Sequence, residues 1–416
     1  MELSFRLGTR SETIDVPDAQ LLHVLEPQDL PEGLDEQKLV KEALLHPVCS
    51  KRLKDTVHAG ETVAVITSDI TRPCPSWKIL PSLIEELYEA GIRKEDITVF
   101  FALGSHRAST VEEMKHLAGE KVYEEVRCLD SDPDDVVYLG TTSRGTPVEY
   151  DRRVMAADRR ICIGNVEYHY FAGYSGGAKA MMPGVSTRDA IQYNHRHMVK
   201  PESCAGKLEG NPVCEDIEEA GAMGKIDFIL NVVLNTKKEI VYAVGGDVVK
   251  AHRQACAFLD EYYKCPICEK ADIVIVSQGG SPKDLNLYQT QKALDNAKHA
   301  VKEGGAVILL GSCAEGFGES HFEEWMTTYQ NAHDMVEEIQ RHFILGAHKA
   351  AAIAMVREKA AIYLVSDMDP AIVEKTILTP AKTLKEAFEM ASANRENPTV
   401  IAMPYGGSTL PVSAQN

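Results

Sequence analysis

The chain alternates apolar runs of strand length with segments whose apolar residues recur at helical spacing. Residues 62–67, Thr-Val-Ala-Val-Ile-Thr, are almost uninterrupted by polar side chains, as a strand buried on both faces requires. Residues 76–90 repeat their apolar positions every three or four residues and stop at Gly91, which predicts a helix. Residues 97–102 and 160–164 are two further apolar runs, and 248–263 reads as a helix. A second block opens near Ala271 with strands expected over 272–277, 305–310, 361–365 and 399–403, and a helix over about 289–302. Strands alternating with helices of this length imply βαβ units and mainly parallel sheets. The fold class expected is therefore α/β, and 416 residues exceed one ordinary core, so two α/β domains are expected with the join near 264–270.

In such sheets ligands bind where loops leave the carboxyl ends of the strands. Three strands run directly into unusual polar sequence: Ser68-Asp-Ile-Thr-Arg-Pro73, Leu103-Gly-Ser-His-Arg107 and Asn165-Val-Glu-Tyr-His169. In the first, Pro73 fixes a loop and places the Arg72 guanidinium near Asp69. That pair suits a phosphate or carboxylate ligand, and it equally suits an ordinary surface ion pair.

Charge and cysteine usage narrow the function classes. The formal net charge is -18, so the chain lacks the basic surface that general nucleic-acid binding needs. No apolar stretch approaches the roughly 20 residues that span a bilayer. The first residues carry no basic-then-apolar leader pattern, and the expectation is a cytoplasmic protein without a membrane partner. Ten scattered cysteines fit reduced thiols. Cys265 and Cys268 are closely spaced but follow a helix and precede a strand, the reverse of a redox motif, and they have no second pair to complete a zinc site.

The densest candidate chemistry runs from His169 to His195. Gly173, Gly176 and Gly177 allow a tight turn and close backbone approach to a ligand. Lys179 follows, an amine suited to phosphate pairing or covalent attachment. The segment is not a Walker loop, because Ala180 stands where a hydroxyl would hold magnesium. His169 and His195 flank the lysine, and His106 sits in another strand-exit loop; imidazoles ligate metals or transfer protons near neutral pH. His195 and His197, two apart, point to different faces of a helix. In the second block Tyr288 and Gln289 open a helix, and Lys292 shares a face with Gln289.

With these pieces assembled, the sequence resembles the nickel-dependent lactate racemase family. The matching motifs are Ser68-Asp-Ile-Thr-Arg-Pro73, Gly104-Ser-His-Arg107, His169-Tyr-Phe-Ala-Gly-Tyr-Ser-Gly-Gly-Ala-Lys179, Asn194-His195 and Tyr288-Gln-Thr-Gln-Lys292, in family order over most of the chain. The resemblance implies a nickel pincer nucleotide, pyridinium-3,5-bisthiocarboxylic acid mononucleotide, joined to Lys179 through a thioamide, with nickel on His195. It implies His106 and His169 as acid and base on opposite faces of a 2-hydroxy acid, inverted by reversible hydride transfer to the pyridinium. Asp69, Arg72, Gly176, Gly177, Tyr288, Gln289 and Lys292 would hold cofactor or substrate. Other proteins would make the cofactor. The implied domains are 1–266 with 396–416, and 267–395, with the active site in the cleft between them. No large aromatic is found near the substrate position of the second domain. His348 and Lys349 stand there instead, and they favour a longer polar acid over lactate. The competing readings are a non-catalytic carboxylate- or phosphate-binding protein, which has no use for three histidines, and a zinc hydrolase, which lacks the ligand spacing.

Overall fold

The computed structural model describes residues 1–414; Gln415 and Asn416, at the end of the expected 396–416 segment, lie outside the described residues. The chain divides into two compact units, residues 29–261 and residues 1–28 with 262–416.

The 29–261 unit is built on a six-stranded sheet. Its order is Ile240–Gly246, Phe228–Leu234, Arg159–Asn165, Val63–Ser68, Ile97–Ala102, Arg127–Asp130. All neighbours are parallel except the antiparallel pair at the Ile240–Gly246 edge. The apolar runs form strands because both faces are covered. Val63, Val65, Val99, Phe101, Ile161 and Ile163 pack under Ile79, Leu80, Leu83 and Leu87 of the helix Ser76–Glu89. Each such side chain contributes about 1.5–3 kcal/mol on burial. The three polar segments singled out above leave the carboxyl ends of the three adjacent strands Arg159–Asn165, Val63–Ser68 and Ile97–Ala102, so this sheet alone gathers them on one edge.

The second unit has an all-parallel six-stranded sheet. Its order is Thr379–Ala381, Ala361–Val365, Val301–Leu310, Ala271–Ser277, Val400–Met403, Leu21–Val24. Here the expected domain division fails. Strand Val400–Met403 is hydrogen-bonded between Ala271–Ser277 and Leu21–Val24, so both chain ends belong to this unit and not to the one carrying the glycine-rich segment. The N-terminal hairpin Glu2–Leu7/Arg10–Asp15 joins the same core through Leu3, Phe5 and Leu7. The helix expected over 289–302 is Leu287–Ala297, and residues from Val301 are already strand. No described helix is long and apolar enough to cross a membrane.

Candidate active site

Asp69 is almost fully buried, at 3% exposure, at the exit of strand Val63–Ser68. One oxygen accepts from Thr71 Oγ1 at 2.8 Å and the other lies 2.9 Å from His106 Nδ1. A carboxylate only accepts, so His106 carries its proton on Nδ1 and presents the Nε2 lone pair. Asp69 thus orients His106, a role the sequence did not suggest for it. The His106 loop is tied to the turn after Lys179 by Gly104 N–H donating to Gly184 O at 2.8 Å.

His169 lies in a short hairpin, Tyr168–His169 against Gly173–Tyr174. Both hairpin tyrosines donate to Asp260, at 2.8 and 2.5 Å. His169 Nδ1 accepts the Ala172 amide at 3.3 Å, which leaves the neutral ring's proton on Nε2. Phe171 stands edge-on to His169 at 4.5 Å and to His195 at 4.9 Å between ring centroids, so one aromatic ring spaces the two histidines. His195 ends the helix Arg188–His195, with Nδ1 3.0 Å from Asn194 Oδ1. His197 falls in the following turn, where burial lowers its pKa.

Between these histidines the glycine-rich turn presents Lys179. Burial, with the Arg72 charge second, pushes its pKa down to about 7, so a large fraction is free amine at neutral pH. The glycines serve the protein itself. A Cβ on Gly176, at φ +80°, would sit 2.7 Å from Val166 Cγ2, and one on Gly177 would sit 2.9 Å from the His252 ring. Gly177 N–H donates to Asn231 Oδ1 at 2.8 Å, and the His252 ring lies 2.8 Å from Ser175 O through Nε2. Asn231, His252 and Asp260 escaped the sequence reading. Each is an isolated polar residue within an apolar strand or an ordinary amphipathic helix, and only the fold brings Asn231 and His252 to the turn and Asp260 to the hairpin tyrosines.

Tyr288, Gln289 and Lys292 lie in the other unit, at the start of helix Leu287–Ala297, where Asn286 caps the Gln289 amide. Lys349 donates to Tyr288 O at 2.7 Å and lies 3.8 Å from the Tyr288 ring centroid. Burial and the Lys292 charge hold its pKa well below the ordinary lysine value. His348 Nδ1 accepts the Gly346 amide, and burial lowers its pKa to about 3. The two residues expected to favour a longer substrate are therefore engaged inside the protein. No group of three or more His, Cys, Asp or Glu side chains suited to a metal occurs among the described residues, which leaves the zinc hydrolase reading without a ligand set.

Two mainly parallel sheets, with histidines, a lysine and a glycine-rich turn at strand exits of one of them, define an α/β protein with a candidate acid–base site. Two family models match the chain, the lactate racemase N-terminal domain over residues 7–206 and the lactate racemase C-terminal domain over residues 267–410. The chain belongs to the lactate racemase family. It is 31% identical to a lactate racemase of Thermoanaerobacterium thermosaccharolyticum, covering 97% of each chain. It is also 31% identical to one of Lactiplantibacillus plantarum, over 86% of this chain and 87% of the relative. The solved apoprotein of the Thermoanaerobacterium enzyme superposes with a TM-score of 0.87 at 30% identity, covering 99% of this chain and 100% of that one. A Thermotoga maritima protein shares the fold at a TM-score of 0.61 and 21% identity, over 92% of this chain and 99% of that one.

Proposed function

We propose that this chain is a racemase or epimerase that inverts the hydroxyl-bearing carbon of a 2-hydroxy acid. The observation that carries the reading is the opposite polarity of two histidines that follow the strands on either side of Val63–Ser68. His106 is held with its lone pair on Nε2, and His169 with its proton on Nε2. Inversion needs one group that takes the hydroxyl proton and another that gives a proton on the opposite face. His106 is poised for the first task and His169 for the second; the reverse reaction exchanges the roles.

The nickel pincer nucleotide fits the residues present. Lys179 is a withdrawn amine with its pKa near neutrality, suited to a covalent thioamide link. His195 has Nδ1 engaged by Asn194, which suits Nε2 to nickel. When bound, the nucleotide supplies a ring that accepts hydride from the substrate carbon. By the family resemblance, Arg72, Gln289 and Lys292 are the residues to test for cofactor phosphate and substrate carboxylate. Since both curated relatives are lactate racemases, and His348 and Lys349 are internally engaged, lactate is the first substrate to assay.

The test is the chain co-produced with cofactor-making proteins. Its intact mass should exceed the sequence mass by a nucleotide-sized adduct that Lys179→Ala lacks. A C2-deuterated 2-hydroxy acid should be inverted with its label retained. Washout of deuterium to solvent, or activity with an unmodified mass, would overturn the reading.

A further inference from the structure

The candidate nickel ligand is held by a chain of hydrogen bonds that begins far from it in sequence. Asp216, fully buried on helix Pro212–Met223, accepts three donors: Thr142 Oγ1 at 2.5 Å, Thr146 Oγ1 at 2.6 Å and Asn194 Nδ2 at 2.8 Å. Asn194 is also fully buried, and its Nδ2 donates in addition to Val213 O at 3.1 Å. A carboxylate and a backbone carbonyl only accept, so the orientation of the Asn194 amide is not ambiguous: nitrogen toward Asp216, oxygen toward His195. That oxygen lies 3.0 Å from His195 Nδ1 and accepts its proton. The lone pair of the neutral His195 ring is then on Nε2.

We propose that Asp216 and Asn194 are positioning residues that fix His195 as its Nδ1–H tautomer and thereby present Nε2 for coordination. The inference rests on the assignment of His195 to nickel. The threonines take part because they occupy the remaining acceptor sites of Asp216 and hold the carboxylate still. They stand in the turn of the hairpin Val136–Thr141/Pro147–Asp151, closed by Thr142 N–H donating to Thr146 O at 2.9 Å. A residue in that hairpin thus acts on the metal ligand through two others. Outer partners of this kind typically change metal affinity by about 10- to 100-fold when removed.

The test reads the tautomer and the metal separately. Full-length chain without cofactor, labelled with 15N at histidine, gives the protonated nitrogen of each ring from long-range proton–nitrogen correlations, with His195→Gln identifying the signal. The wild type should show His195 protonated at Nδ1. Asn194→Ala and Asp216→Ala should each move a large share of the proton to Nε2. If Asp216→Ala fails to fold, Asn194→Ala decides alone, since it leaves Asp216 its threonine donors. In chain co-produced with the cofactor-making proteins and dialysed against chelator, retained nickel should fall about 10-fold or more in the same variants. An unchanged tautomer in a folded variant overturns the proposal, whatever happens to nickel. A changed tautomer with nickel fully retained upholds the relay and overturns the assignment of nickel to His195.

Discussion

The loop carrying His106 and the hairpin carrying His169 solve one problem in two ways. In the loop, a buried carboxylate from the exit of the adjacent strand accepts the hydrogen bond from Nδ1–H. In the hairpin, the backbone three residues on donates to Nδ1, and the rings of Tyr170 and Phe171 lie against the imidazole. The consequence is a difference of sign at Nε2, acceptor in one and donor in the other. A racemase needs that asymmetry at the start of each turnover, because two groups in the same protonation state leave one face of the substrate without its partner. The comparison also shows that the neighbour of a histidine, more than the histidine, sets its role.

Removing either imidazole should have the largest effect. His106→Ala and His169→Ala should each lower turnover by about 100-fold or more, the usual scale for a general acid–base group, while the nucleotide adduct is retained. For a racemase the two enantiomers have equal free energy, so kcat/KM must fall equally in both directions in each variant. Full activity in either would break the two-group scheme. Asp69→Asn keeps the shape but offers an amide to Nδ1, so His106 can adopt the other tautomer. Turnover should fall by about 10- to 100-fold, less than for loss of the ring itself. If Asp69→Asn instead left turnover intact and released the nucleotide, Asp69 would be a cofactor ligand and the contrast between loop and hairpin would collapse.

Much of this was readable in sequence because it is local. Apolar runs such as residues 62–67 and 97–102 became strands within a residue of their expected bounds, since burial on both faces needs little long-range information. The three polar exits were visible for the same reason. What was not visible depends on residues far apart. Asn231 meets Gly177 across 54 positions, and Asp69 meets His106 across 37. The domain division failed because strand order is set by pairing: nothing in residues 400–403 says that their neighbour is residues 21–24. The glycines read as a tight turn from sequence alone, whereas the side chains that crowd them, Val166 and His252, come from other segments.

The hairpin depends on the glycine-rich turn that follows it, whereas the His106 loop depends on Asp69. Gly177→Ala tests that dependence. The residue has φ +58°, and the added methyl would meet the His252 ring at 2.9 Å. Strain and overpacking together should cost about 2–3 kcal/mol, read as a lower midpoint in denaturant unfolding of the cofactor-free chain. The accompanying shift of Lys179 should reduce the yield of nucleotide adduct. Unchanged stability would show that the turn relaxes freely and that His252 does not support it.

The smallest expected effect concerns pH. Burial lowers the His252 pKa from 6.5 to about 4, so its ring beneath the turn is neutral at pH 7. As pH falls below 6.5 the unfolded chain takes up a proton here, and the folded chain does so only near pH 4. The unfolded state then binds more protons, and stability is lost progressively as pH falls through that window, with the neutral-pH advantage intact above it. The contribution is about 1–3 kcal/mol at the acid end. In His252→Gln the side-chain amide still donates to Ser175 O but does not titrate. Comparison of unfolding free energy at pH 7 and pH 4.5 should therefore show a shallower acid loss in the variant than in the wild type. Equal losses would mean that His252 is solvated enough to titrate normally, and the turn would then need a different support. The His106 loop supplies the internal control, because Asp69→Asn removes no buried neutral imidazole and should leave the His252 component of the acid loss in place.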